Sequence, residues 1–523
     1  MYKYIQKHLD FKLINASIVF AALYCFLYNS AVFAYKFSYV ETRVIQLILE
    51  LFKDLVYNLV LLFIIFFGLS VHRIIFIVGS LFLFITGAIA SYYLYFFSIS
   101  PTLAIMPSIF GTEPQEVTEL ISVRIIVWVV FSILICLYSI RHFKIETTKS
   151  FVTRILSAIC LLIFINNIIS PKFSFIKGYF PMQYLHNSYV HLFGETDEDF
   201  SKIDISKEYA FEDKSDKDVI AVLVIGEAAR YDRFAINGYK KDTTPNLANI
   251  DNLASYKARS CSNNTYLSVP CMLSRFNEDN MSKIDSETSI LSIFTKLGFE
   301  TMWFATQSIT KYYLNKPGGS FYDEVNFHVT PGGTALMLPN SHDCELLPYL
   351  EKNISSNKKK FIILHTTGSH WNYGARYPKE FEKFTPVIPD SSKHDAASCS
   401  SEERNNSYDN SILYTDFFLS NVIAMLKDKN AILIYASDHG ESLGEGGRLT
   451  HGHDEYYEEQ RNVPFMVWFS NKYKSNHHEE WDSIKHNLGK NISHDYLFHS
   501  ILDCLKIESS IVDKSLSLCR NHK

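Results

Sequence analysis

The sequence predicts two domains of different class: an α-helical membrane domain of five transmembrane helices, then an α/β domain with a mostly parallel central sheet. Three observations carry this. Five long apolar segments follow one another up to about Ser170, and beyond it apolar strands alternate with helical patterns. In that second part the strands VIAVLVIGE, FIILHTTGSH and AILIYASDHGE run out into residues able to hold a metal ion: Glu227, His370, and Asp438 with His439. Functional groups in open α/β sheets gather outside the carboxyl ends of the strands.

A chain of 523 residues has room for more than one domain. Its 50 Lys and Arg against 55 Asp and Glu, a net charge of −5 with no basic block, carry no nucleic-acid footprint. The mean hydropathy near zero averages an apolar, charge-poor first third and a polar remainder.

The spans are expected at Leu13–Ala34, Leu55–Val71, Ile74–Phe97, Ile121–Ile140 and Val152–Ser170, each near the roughly 17–25 residues a hydrocarbon core demands. The first lacks a small-residue cleavage site and is expected to stay as an anchor. Lys3, Lys7 and Lys12 precede it, His72 and Arg73 separate the second and third spans, and Arg141, Lys144, Lys149 and Arg154 surround the fourth-to-fifth connection. The third-to-fourth connection carries Glu113, Glu116 and Glu119 instead. The positive-inside rule then places the N-terminus in the cytoplasm and everything after Ser170 across the membrane, which in a Gram-negative inner membrane is the periplasm. Within Ser98–Leu120, Ser108, Thr112 and Glu116 stand four apart and would share one face of a short surface helix.

The expected domains are 1–170, a bridging segment 171–217, and a catalytic domain 218–523. Aromatics mixed with lysine and histidine suit the bridge to the headgroup zone. Strands are expected at Val219–Ile225, Thr301–Ala305, Phe361–His365, Ala431–Ala436 and Pro464–Phe469, and helices at Thr244–Ser255, Ser289–Leu297, Ser411–Lys427 and His494–Leu505. The serine- and charge-rich piece Asp390–Asn406 reads as a surface loop.

Of nine cysteines, Cys25, Cys136 and Cys160 fall in spans, where a thiol is a small apolar group. The other six, Cys261, Cys271, Cys344, Cys399, Cys504 and Cys519, lie in the half expected to be oxidising. Six cysteines allow about 15 pairings, so the count alone does not give them; Cys261 with Cys271 is the expected bridge, and the pairing of Cys344, Cys399, Cys504 and Cys519 stays open, with Cys504–Cys519 the next candidate.

Thr265 sits between Cys261 and Cys271 in RSCSNNTYLSVPCMLS and is the expected nucleophile. A carboxylate and an imidazole at one strand end, Asp438 and His439, can both coordinate zinc, with Glu227 as third ligand and the Thr265 hydroxyl completing a tetrahedral site. The metal lowers the pKa of that hydroxyl and neutralises oxygens that gain charge in phosphoryl transfer. A lone Asp-His-Gly is commonly a helix cap; Glu227 and Thr265 set this one apart. His370, His451 and His453 form a second group suited to a second cation or a substrate phosphate, a surface position being the usual alternative for any one of them and His453 the candidate for it. Neither GxxxxGK[ST] nor GxGxxG occurs, so no nucleotide is implied.

The order GEAAR at Gly226, NGYKKDTTPNL at Asn237, CSNNTYLSVPCM around Thr265, TTGSH at His370, NSYDNSILYTD at Asn406 and SDHGESLGE to THG at His451 is similar to the lipid A phosphoethanolamine transferases. These belong to the alkaline phosphatase and sulfatase superfamily and include the mobile colistin resistance enzymes. The resemblance implies zinc, one or two ions, on Glu227, Thr265, Asp438 and His439, with Thr265 accepting phosphoethanolamine. It implies a second zinc or the substrate phosphate at His370 and His451. It implies donor contacts at Ser308 and Lys311, and at Thr112 and Glu116, with Ser108 standing where the family has asparagine. The implied donor is phosphatidylethanolamine, the acceptor lipid A or another lipopolysaccharide, and the enzyme a monomer among membrane lipids. Rival readings are a phosphoglycerol transferase of the lipoteichoic acid type, transfer to a core sugar, glucan or protein, and a non-catalytic membrane sensor. A sulfatase is disfavoured because CxPxR is absent around Thr265.

Overall fold

The computed structural model describes residues 9–38, 44–112, 117–118, 120–170, 178–194, 203–307, 335–338, 341–355, 358–389, 395–453 and 456–521. Two compact units form, Met1–Ile109 with Leu120–Thr196, and Phe110–Glu119 with Asp197–Lys523.

The first unit is helical, and five of its helices are long and apolar enough to cross a membrane. The first runs Phe11–Tyr24, widens into a π segment Cys25–Asn29 and resumes as Ser30–Ser38. The others are Val44–Leu69, Arg73–Phe97, Val123–Phe143 and Phe151–Ile169, so the second begins well before the expected Leu55. Phe20 centres the core, with ring centroids 4.9 Å from Phe76 and 5.5 Å from Phe66. A Cβ on Gly68 would lie 2.7 Å from the Leu161 backbone nitrogen, so its missing side chain lets the second and fifth helices touch. Met106–Gly111 is a short helix that includes Ser108 but stops before Thr112.

After the fifth helix the chain turns back into this unit. The Asn29 side chain accepts from the Phe180 amide at 2.9 Å and donates to its carbonyl at 2.8 Å, satisfying both backbone groups of one residue. Tyr179 donates to Asp54 at 2.5 Å beside Lys36, and the Tyr184 hydroxyl bridges Tyr24 and Thr86. The helix Met182–Phe193 therefore faces the bundle, with Met182, Tyr184 and His186 buried.

The second unit is built on an eight-stranded sheet: β1 (Ile220–Gly226), β2 (Leu253–Arg259), β3 (Glu300–Ala305), β4 (Ala335–Met337), β5 (Lys360–His365), β6 (Ala431–Ser437), β7 (Asn462–Phe469) and β8 (Ile492–Ser493). Their order is β8-β2-β7-β6-β1-β5-β3-β4. Only β7 runs against the others, pairing antiparallel with β2 and β6. Every residue of β1, β5 and β6 is buried, as strands covered on both faces require. In β1, Gly226 pairs with Ser437 and Ile225 with His365. The residues that follow these three strands, Glu227, Thr366 and Asp438, thus emerge level at one edge.

Three expectations are corrected here. Thr244–Ser255 is not a helix: it holds a 3-10 turn, Leu247–Asn249, and the start of β2. The amides of Asn246 and Leu247, at the start of the turn, donate to Asp416, and the turn ends where Ile250 becomes extended at φ −91, ψ 121. The expected helix from Ser411 begins ten residues earlier, as Ser401–Leu426, so part of the expected loop Asp390–Asn406 is helical. A Ser400–Glu403 capping box starts it. The strands β2, β4 and β8 lie outside the five expected from the sequence.

Candidate active site

Thr265 opens α1 (Thr265–Met272), whose N-cap Asn264 accepts from the Leu267 amide at 3.1 Å. The loop before it is fixed from several sides. Cys261 and Cys271 form a disulfide. The Ser268 hydroxyl accepts from the Ser262 amide and donates to the Ser262 carbonyl, both at 3.1 Å. Asn263 donates to the His453 carbonyl at 2.7 Å and accepts, through its own carbonyl, from the Gly452 amide at 3.0 Å. A second disulfide, Cys504–Cys519, lies in the same unit, and Cys344 and Cys399 are free.

The Thr265 hydroxyl is 3.1 Å from Oε2 of Glu227 and 3.1 Å from Nε2 of His439. Glu227, Asp438 and His439 are wholly buried. His439 Nδ1 lies 2.8 Å from the Gly440 carbonyl, which can only accept, so Nδ1 carries the hydrogen and Nε2 faces Thr265 and Glu227. Asp438 Oδ1 accepts from the amides of Ala228 at 3.1 Å and His439 at 2.7 Å. Its Oδ2 is buried without a hydrogen-bond partner, 3.5 Å from Nε2 of His439. Gly368, at φ +52, lies so close to the Glu227 backbone that a Cβ would come within 2.6 Å of its carbonyl oxygen.

Charge crowding follows. Burial alone would raise the Glu227 carboxyl, but the imidazoles of His439, His370 and His451 pull it well below the usual range. Burial, then the neighbouring Glu227, push Asp438 up to about 8. His439 would be lowered by burial, yet Asp438 and Glu227 hold it up at about 10. The pocket favours positive charge between its two carboxylates.

His451 lies beside this centre, its ring 4.1 Å from that of His439, and ligand atoms of Glu227, His439 and His451 lie within 4.8 Å of one another. Its Nδ1 is 2.7 Å from Glu441, whose other oxygen accepts from the Tyr373 hydroxyl at 2.7 Å. His370 is next, 5.4 Å ring to ring from His451. The structure thus gathers Thr265, Glu227, Asp438 and His439 in one cluster, with His451 and His370 adjoining. Ser108 and Thr112 belong to the segment around Met106–Gly111, and Glu116, Ser308 and Lys311 lie outside the described residues.

Several participants escaped sequence reasoning. Gln307, at the end of β3, donates to Glu227 at 3.1 Å and to the Thr366 carbonyl at 2.8 Å, with His365 at 2.7 Å. Buried Asp343 accepts from the Thr306 hydroxyl and from the amides of Thr367 and Gly368, tying the loop that carries His370 to β3. His453 is buried at 5 % exposure, not on the surface, with Nδ1 2.6 Å from Gln460. Only Glu441 had a local signal, a third acidic or imidazole group within DHGE.

The family model described as Sulfatase matches residues 220–507, and that for phosphoethanolamine transferase EptA/EptB matches 59–190. The Kdo(2)-lipid A phosphoethanolamine 7''-transferase of Escherichia coli K12 is 33% identical over 345 residues, 63% of this chain and 60% of that protein. Phosphatidylethanolamine transferase Mcr-2 of Escherichia coli is 34% identical over 269 residues, 48% of this chain and 49% of that protein. The match with the first of these curated relatives thus spans about three-fifths of its length. The solved integral membrane lipooligosaccharide phosphoethanolamine transferase A of Neisseria meningitidis shares the fold, with a TM-score of 0.78 at 24% identity over 97% of this chain and 99% of that one.

Proposed function

Because the chain belongs to the sulfatase family, in the group of the lipid A phosphoethanolamine transferases, we propose that it moves phosphoethanolamine from phosphatidylethanolamine to lipid A or another lipopolysaccharide acceptor through Thr265. The observation that carries this is a hydroxyl 3.1 Å from both a buried carboxylate and a buried imidazole nitrogen. The donor set fits zinc: an unpartnered Asp438 oxygen, the Glu227 carboxylate, Nε2 of His439 and the Thr265 hydroxyl supply four O and N ligands. Zinc bound there would lower the pKa of the Thr265 hydroxyl and neutralise charge growing on phosphoryl oxygens.

The chain's residues do the rest. Thr265, held at the start of α1, attacks phosphorus, diacylglycerol leaves, and an acceptor oxygen then takes phosphoethanolamine from Thr265, regenerating the hydroxyl. His370 and His451 hold a second zinc or the substrate phosphate. Ser308, Lys311, Ser108, Thr112 and Glu116 contact the donor. The working organisation is a transmembrane part, 1–170, a bridge, 171–217, and a catalytic part, 218–523, acting as a monomer. The lysine and arginine bias and the two disulfides support a multi-pass protein of a bacterial inner membrane with its N-terminus in the cytoplasm and its catalytic part in the periplasm. The added amine makes the surface less negative, so cationic peptides bind it less.

The test is mass spectrometry of lipid A from cells expressing the chain or its Thr265→Ala variant. An added phosphoethanolamine is expected only with the native chain; the same mass from the variant refutes the nucleophile, and transfer of phosphoglycerol in its place refutes the donor.

A further inference from the structure

One buried side chain outside the ligand cluster touches three of the segments that build it. Gln460 is wholly buried on the single helical turn Glu458–Arg461 that leads into β7. Its side-chain oxygen accepts from Asn263 at 3.1 Å, in the loop that presents Thr265. Its side-chain nitrogen lies 2.7 Å from the Ser442 hydroxyl, 3.3 Å from the Thr450 carbonyl and 2.6 Å from Nδ1 of His453. The Asn263 side-chain nitrogen also donates to the His453 carbonyl at 2.7 Å. Carbonyls only accept, so neither amide can be turned over, and Nδ1 of His453 accepts from Gln460. The main-chain carbonyl of Gln460 accepts from the Gly440 amide at 2.8 Å.

Each of these partners stands within three residues of a site residue: Asn263 before Thr265, Gly440 and Ser442 after His439, Thr450 and His453 on either side of His451. The two neighbours of His451 share an uncommon backbone conformation, Thr450 at φ +64 and Gly452 at φ +80. Glycine takes this region freely, whereas a β-branched residue keeps it only where its surroundings over-determine it. Those surroundings are the Gln460 amide on the Thr450 carbonyl and the pairing of Thr450 with Ser442. On the far side, the Gly452 amide donates to the Asn263 main-chain carbonyl at 3.0 Å. His451 is therefore pinned twice, once by Gln460 and once by the residue that Gln460 holds, with its ring 4.1 Å from that of His439. An apolar side chain would fill the same space; a buried amide with its donors and acceptor satisfied specifies one arrangement of the segments it joins.

We propose that Gln460 is a positioning residue of the transfer reaction: it sets the spacing between Thr265 and His451 by holding both of their loops against the segment that carries His439. The inference rests on the transfer reading above and adds what keeps its nucleophile and its neighbouring imidazole in register. Gln460 touches neither substrate nor metal, and its effect passes through the two residues it holds. A misplacement of about 1 Å between such groups costs on the order of 100-fold in rate.

The test follows the labelling of Thr265 by phosphatidylethanolamine on the full-length protein in nanodiscs, read by mass spectrometry of the quenched protein. Gln460→Met keeps the volume and drops the amide; it is expected to slow labelling by about 10–100-fold while the donor KM and the zinc affinity stay within about twofold of the native chain. Asn263→Ala, at a half-buried position, is expected to slow it by about fivefold. Because both act through one link, the double variant should label no more slowly than Gln460→Met alone. Unchanged labelling in either single variant overturns the proposal, as do losses that multiply in the double variant. A loss matched by weaker zinc binding also overturns it and assigns Gln460 to the metal cage. Should Gln460→Met not fold, Asn263→Ala decides alone by its labelling rate and zinc affinity. If the native chain does not label Thr265 at all, the transfer reading falls and takes this inference with it.

Discussion

The backbone amide of Cys261 donates to Nδ1 of His494 at 3.2 Å. The other nitrogen, Nε2, lies 2.9 Å from the Ser437 carbonyl, so it carries the hydrogen and donates. One neutral imidazole therefore staples the nucleophile's loop to the strand end that delivers Asp438 and His439. Burial is the main reason that His494 is held down at about 3.

That staple fails when protonated, because the Cys261 amide then faces a second donor. The unfolded chain takes up the proton near pH 6.5 and the folded one near 3, so between these values the folded state binds fewer protons and stability falls as pH falls. At pH 5 the cost is about 2 kcal/mol. His494→Gln, which can accept and donate in the same places, is expected to lose that part of the pH dependence; parallel denaturation curves of the two proteins at pH 7.5 and 5 check it.

Gln307 holds Glu227 and the end of β5 with one amide group. Partners of this kind orient metal ligands, and their loss typically costs 10–100-fold in metal affinity. Gln307→Leu is expected to weaken zinc binding by that factor, measured by competition with a chromophoric chelator. Unchanged affinity in the leucine variant would free Gln307 of this role.

The Cys261–Cys271 bridge closes a loop of ten residues of separation. Replacing both cysteines by serine is expected to cost about 3 kcal/mol, and to lower the melting temperature of the catalytic unit by about 5 °C, read by thermal unfolding. Turnover should fall further than stability explains, because Thr265 then loses its fixed approach to Glu227.

Much of this was legible before any coordinates. Five apolar runs had to be helices, and residues ending VIAVLVIGE and AILIYASDHGE had to meet if those strands were neighbours, as Gly226 and Ser437 are. What escaped depended on partners distant in sequence. Leu253–Arg259 becomes a strand because β7 lies beside it, register by register. Gln307 and Asp343 carry no local mark; each matters through a loop far from it in the chain. The capping box at Ser400 and Glu403 is readable in the sequence, but a charged serine-rich stretch resembles a loop until its spacing is counted.

The lone opposed strand has an architectural result. Because β7 points the other way, its first residue, Asn462, enters the sheet where its neighbours leave it, so the stretch from Leu449 to Arg461 is brought to the reactive rim without a return crossing. There the Gly440 and Glu441 amides donate to the carbonyls of Gln460 and Glu459. A single change of direction lets two histidine-bearing segments, separated by one short excursion, close over the same threonine.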